Sequence, residues 1–225
     1  MSDLIVLEDK VNISENNLRD KMSSIFNILL IDRTKSTKRC IKNIIWANEN
    51  YIKYGTEKYS ANSEIKFELI TGKYDNIIQP RALKAAQLQK KRTRTIAEVF
   101  TPMEILKQQN DEIDKSCQND DLETYTKRTW IEITCGEAPY IATRYNVITG
   151  KLIGLDERVG FLDRKLQRIA KEVNSEQEFI KWSKIAYESS YGYELQGDSL
   201  LLARENLLLS FNKALALTSV LIITQ

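Results

Sequence analysis

The sequence predicts an α/β protein, with a mixed α+β region in front of a unit in which strand and helix patterns alternate. Three observations predict it. Trp130-Ile-Glu-Ile-Thr134 alternates in the way of a half-buried strand. The run breaks at Cys135-Gly136, where a glycine directly after a strand permits a sharp turn and close approach of a ligand, and a helix-like pattern restarts beyond it. Amphipathic helix patterns then follow over 161–173 and 176–190. The expected boundaries are 1–95 for the mixed region and 96–225 for the second unit.

In the first unit, Phe26-Asn-Ile-Leu-Leu-Ile31 is a short apolar run rich in β formers. The basic, polar stretch 32–39 follows, and Ile41-Lys-Asn-Ile-Ile-Trp46 resumes the apolar pattern. Strand, turn, strand is the simplest reading. Residues 65–70 alternate again, and Thr71-Gly72-Lys73 offers a turn. From Arg81 to Thr93 the composition shifts to helix formers, and Lys84, Lys90, Lys91, Arg92 and Arg94 make this the most basic short segment. A solvated helix face accounts for those charges, and a DNA-phosphate contact is the alternative.

In the second unit, Thr101-Pro102-Met-Glu104 reads as a helix start, with threonine at the cap, proline at the first helical position and glutamate at the third. The polar stretch 110–121 is expected as a loop before the Trp130 strand. Turn signals fill 144–156. Residues 200–217 are apolar enough for a buried helix, and Val220-Leu-Ile-Ile223 suits the start of a third strand.

Composition excludes several chemistries. The 225 residues hold no histidine, which removes Ser-His-Asp and Cys-His catalysis and imidazole metal sites. Cys40, Cys117 and Cys135 are sparse, widely spaced and odd in number, as expected of a reducing compartment. The N-terminus is acidic, without the pattern of a signal peptide, and the apolar tail 214–223 is short of the ~20 residues of a membrane helix. A cytoplasmic protein without membrane contact is expected. The formal net charge of +2 neither announces nor excludes a nucleic-acid partner.

Three strings carry a resemblance: Glu98-Val-Phe100-Thr101-Pro102, then Glu132-Ile-Thr-Cys135-Gly136-Glu137-Ala-Pro139-Tyr140, then Tyr191-Gly-Tyr-Glu194 with Leu202-Ala-Arg204-Glu-Asn206. In this order they resemble the Phe-Thr-Pro and first and second S-adenosylmethionine (SAM) motifs of adenine-specific DNA methyltransferases. A subgroup, the M subunits of restriction systems, is more similar still. Its members share strings like Ile31-Asp-Arg-Thr34 and Gly160-Phe-Leu-Asp-Arg-Lys-Leu166, and the resemblance spans residues 28–210. It implies a Rossmann-like methyltransferase fold, incomplete here, with SAM as cofactor. It further implies that Glu132 pairs with the cofactor's ammonium and that Cys135 and Gly136 turn beneath its methionine moiety. Phe100, Thr101 and Pro102 would frame its other side, and Glu194 would accept from both ribose hydroxyls. DNA and a separate catalytic, specificity or restriction subunit are the implied partners.

The chain departs from the family at Ala138 and Pro139, which stand where glycines are usual. The family also methylates a flipped adenine through an Asn/Asp-Pro-Pro-Tyr/Phe loop. The only prolines are Pro80, Pro102 and Pro139, so no Pro-Pro or Asn-Pro occurs, and no catalytic residue is assigned. The expectation is a SAM-binding portion truncated before its catalytic motif, with exposed sheet edge and apolar surface. The competing expectation is a non-catalytic DNA-binding or subunit-assembly module that keeps the fold. A metal-dependent nuclease would need clustered carboxylates with a lysine nearby, and the scattered acids show no such arrangement.

Overall fold

The computed structural model describes residues 23–84, 89–90, 92–94, 99 and 101–223. In the first unit, Phe26 and Leu30 lie four residues apart and both enter the core. That spacing is one helical stripe, and the segment forms helix α1 (Ser23–Leu30) instead of the expected strand. Burial of the stripe outweighs the β preference of its individual residues. Residues 41–46 form no strand either. Their ladder contacts are the isolated antiparallel bridges Ile31↔Asn43 and Ile45↔Glu64. The 65–70 run contains a single 3-10 turn, Phe67–Leu69, and the expected turn at Gly72 is present as a second, Gly72–Tyr74.

Aromatic packing holds this region in place of a ladder. The Trp46 ring lies 4.4 Å from that of Tyr51 and 5.4 Å from that of Tyr59, which ends the short helix α2 (Thr56–Tyr59). The indole N–H of Trp46 donates to the Lys58 carbonyl at 3.0 Å, satisfying the one polar atom of a buried ring. The basic segment is not one exposed helix face. It holds a 3-10 turn at Arg81–Leu83, residues 92–94 are helical, and both Lys84 and Arg92 are buried.

In the second unit, helix α3 (Met103–Lys115) starts one residue later than expected. Pro102 is its N-cap, no side chain caps it, and Thr101 lies outside. The helix runs through the first half of the expected 110–121 loop. A turn then leads to α4 (Leu122–Lys127), where Asp121 caps the Thr124 amide at 2.7 Å. Strand β1 (Trp130–Ile133) follows as expected. No α-helix restarts after Cys135-Gly136; turns, the bridge Tyr145↔Leu152 and a 3-10 turn at Leu155–Glu157 occupy the chain until α5 (Phe161–Glu172). Helix α6 (Glu176–Glu188), strand β2 (Ser190–Tyr193) and helix α7 (Gly197–Ile223) complete the order. The 220–223 backbone continues α7 and is not a third strand.

Strands β1 and β2 pair in parallel, with Glu132 opposite Gly192 and Ile133 opposite Tyr193. The connection through α5 and α6 supplies the crossover that a parallel pair requires. One sheet face packs, through Cys135 and Ile141, on a core that includes Leu162, Leu166, Ile169, Phe179 and Ala203. Helix α7 serves both cores: Leu201 and Leu202 enter the Trp46 cluster, while Ala203 and Ala214 enter the one beneath the sheet. The architecture is thus mixed helix and strand around a two-stranded parallel sheet. Among the described residues, no helix is long and apolar enough to cross a membrane.

Candidate functional site

The site grows from the ends of the two parallel strands. Past β1, the Cys135 amide donates to the Tyr193 carbonyl at 2.9 Å, so the pairing reaches two residues beyond the strand. The chain then turns through a run of left-handed residues, Thr134 (φ 54°), Gly136 (φ 56°) and Ala138 (φ 58°). Only the middle one is a glycine. A β-branched threonine in this conformation is strained, and such strain collects where surrounding structure over-determines a functional loop. The turn is locked to β2 by Glu194: its Oε2 accepts from the Gly136 amide at 2.8 Å and its Oε1 from the Gln196 amide at 2.9 Å. Gly192 makes the fit possible, because a Cβ there would sit 3.1 Å from both Cys135 Sγ and Ile141 Cδ1.

Glu132 faces this turn. Its Oε2 is shielded from solvent and has no hydrogen-bond partner. Burial pushes its carboxyl up to about 8; the Tyr140 and Ile141 amides pull the other way, and the charge of Glu194 adds to the rise. The Cys135 thiol is pushed up to about 12, first by burial and then by Glu132 and Glu194. A thiol that high stays protonated, so Cys135 shapes the turn and is not a nucleophile.

Buried polar groups behind the loop hold it in place, and sequence reasoning gave these residues no role. Glu137, 1% exposed, accepts from the Arg81 amide at 2.7 Å and from the Tyr145 hydroxyl at 2.5 Å. Asn206 of α7 donates to the Glu137 carbonyl at 2.9 Å and accepts from Arg144 Nε at 2.9 Å. Two residues earlier on the same helix, Arg204 donates to the Leu29 and Ile31 carbonyls. The Ala-Arg-x-Asn string therefore ties the turn after β1 to the end of α1. The signal for Asn206 was in the sequence, as a polar residue repeated within an apolar helix; the partner was not.

Tyr140 joins the first string to the second. Its hydroxyl donates to Gln109 Oε1 and lies 3.4 Å from Thr101 Oγ1. Beside it, a cleft of about 740 Å³ runs between α3 and β1, lined by Ile105, Gln109, Ile113, Glu132, Ile133 and Tyr140 among others. That volume lies within the range of small-molecule sites, which are mostly apolar with a few converging polar groups.

Of the residues expected from sequence, Glu132, Cys135, Gly136 and Glu194 come together at the strand ends, and Thr101 reaches them through Tyr140. Pro102 caps α3 and contributes no side-chain hydrogen bond. Phe100 and Lys91 lie outside the described residues. Of the basic residues expected on a DNA-facing surface, Lys84 and Arg92 are buried, because the carboxylate of Asp198 draws them inward; Lys90 and Arg94 are exposed. Among the described residues, no group of three or more Cys, Asp or Glu could hold a metal ion. Set against protein-family models, curated proteins and solved structures, the chain matches none.

Proposed function

We propose that this chain is the SAM-binding portion of a restriction–modification DNA adenine-N6 methyltransferase, built on an incomplete Rossmann-like fold. The observation that carries the reading is the shielded, partnerless oxygen of Glu132, next to last in β1 and opposite Gly192, close enough to Glu194, just past the end of β2, for the two charges to interact. Ligands of open α/β sheets bind outside the carboxyl ends of the strands. A shielded carboxylate oxygen left without a partner is costly unless a cation completes it. The ammonium of SAM is such a cation. Glu194 has spent one lone pair of each oxygen on a backbone amide, which leaves one on each for a ribose hydroxyl. The bound cofactor would supply the methyl group. This chain's residues would hold and orient it, and the loop that accepts the flipped adenine would come from elsewhere, since no Asn-Pro or Pro-Pro occurs in the 225 residues.

Calorimetry with SAM tests this directly. Binding is expected in the wild type and is expected to fall below detection in Glu132→Gln. It should also tighten as pH rises toward 8, by about tenfold per pH unit, because Glu132 must lose its proton to face the ammonium. Above that the affinity should fall again, since an α-amino group itself loses its proton near ~7.7–8.0. A folded wild-type chain that takes up no SAM at pH 8 refutes the reading.

One observation favours the second reading, an assembly module. The outer sheet face presents Ile131, Ile133, Tyr191 and Tyr193 to solvent, Ile133 at 71% exposure. Parallel sheets are ordinarily covered on both faces. Sedimentation of the wild type against Ile133→Glu separates the two: on the assembly reading the wild type self-associates or captures a DNA-modification subunit, and the variant does neither.

A further inference from the structure

We infer that Gln196 and Arg92 are positioning residues for Glu194, and that through them the Trp46 core sets the geometry of the ribose-facing carboxylate. The inference rests on the cofactor reading for the identity of the ligand, but the positioning itself is a property of the chain alone. The path is continuous. Glu194 Oε1 accepts from the Gln196 amide at 2.9 Å, and the Gln196 side-chain oxygen accepts from Arg92 Nη2 at 3.3 Å. Arg92 Nη1 lies 2.9 Å from Asp198 Oδ2 in an ion pair that is about as buried as a pair can be, with side chains 1% and 0% exposed.

Asp198 is held in turn by the first unit. Its Oδ2 accepts from the Tyr51 hydroxyl at 2.7 Å and its Oδ1 from Asn48 Nδ2 at 3.1 Å. Burial alone would raise the Asp198 carboxyl, but Arg92, Lys84 and Tyr51 outweigh it and hold it below the ordinary range. The backbone is clamped at the same place. The Gly197 amide donates to the Trp46 carbonyl at 3.2 Å, and a Cβ on Gly197 would stand 2.1 Å from the Ile45 carbonyl oxygen. The β2–α7 turn that carries Glu194 therefore cannot shift without disturbing residues 45–51.

A guanidinium suits this role because it presents several donors in a fixed plane and can span two acceptors, whereas a lysine ammonium is a single point. Gln196 is the residue to change first, because its side chain is only half-buried and its loss leaves the Arg92–Asp198 pair intact. In Gln196→Met, hydrogen exchange at the amides of Gly136 and residue 196 should accelerate about tenfold with global stability little changed. The preference for adenosine over 2′-deoxyadenosine should fall by a similar factor. Gln196→Glu, which restores an acceptor for Arg92, should recover both. Arg92→Lys should reproduce the Gln196→Met pattern. A merely structural role would lower affinity for both nucleosides alike and leave their ratio unmoved. Wild type that binds adenosine, with exchange and ratio unchanged in the variants, overturns the positioning and leaves the cofactor reading standing. Wild type that binds neither nucleoside nor SAM overturns the cofactor reading. Amide exchange then decides the positioning by itself: faster in Gln196→Met sustains it, unchanged overturns it.

Discussion

Two shielded carboxylates, Glu132 and Asp198, stand in opposite states of satisfaction. Asp198, beneath the turn, is surrounded by Arg92, Tyr51 and Asn48, and both its oxygens are used. Glu132, next to last in β1, keeps one shielded oxygen with no partner. The same functional group is structural in one place and poised in the other. Burial raises the cost of a carboxylate in both, and the difference is whether the chain itself supplies the compensating positive charge. Where it does, the charge ties two cores together. Where it does not, the carboxyl keeps its proton up to about pH 8 and is left open to a cationic ligand.

The contrast can be broken most forcefully at Asp198. Asp198→Ala leaves Arg92 buried without its counter-ion and is expected to cost about 3–5 kcal/mol, read as a fall in the denaturation midpoint. Glu132→Gln should do the reverse. Glu132 ionises near 8 in the fold against 4.5 for the free side chain. The folded chain therefore binds more protons than the unfolded chain between those values, and its stability falls as pH rises through that window. The glutamine variant removes this slope and should be the more stable protein at pH 8, by on the order of 4 kcal/mol at most. Urea titrations at pH 5 and pH 8 check both the sign and the slope.

Smaller changes sharpen the picture of the loop. Gly192→Ala pushes a methyl against Cys135 and Ile141 and should cost about 1–3 kcal/mol, while loosening SAM binding if the turn shifts with it. Thr134→Gly relieves a left-handed β-branched residue and should gain roughly 0.5–1 kcal/mol in thermal unfolding. A loss at Thr134→Gly would mean that its hydroxyl, which donates to the Ile133 carbonyl at 2.6 Å, outweighs the strain.

Legibility followed the regularity of the local signal. Strand β1 and helices α5 and α6 were readable, because an alternating run and two strong amphipathic stripes each state their period within one segment. The first unit was misread because its apolar runs are short and fit two periods equally well. In residues 26–31 the pairing of Phe26 with Leu30 decided for helix, and that pairing acquires its meaning only from the core it enters. The tail was misread for a related reason: Val220 to Ile223 has β propensity, but α7 is already propagating when it reaches them.

The candidate site divides in the same way. The sequence by itself determined which residue types stand after which patterns: an acid within a strand, a Cys-Gly break, a second acid before a long apolar helix. Tertiary structure alone decided that Glu132 and Glu194 end on neighbouring parallel strands, that Glu194 caps Gly136, and that Arg92 lies inside rather than on a DNA-facing surface. The physical reason is range. Periodicity, turns and caps are set by neighbours within a few residues, whereas burial of a charge depends on a partner such as Asp198, more than a hundred residues along the chain from Arg92, that only the folded core brings within reach.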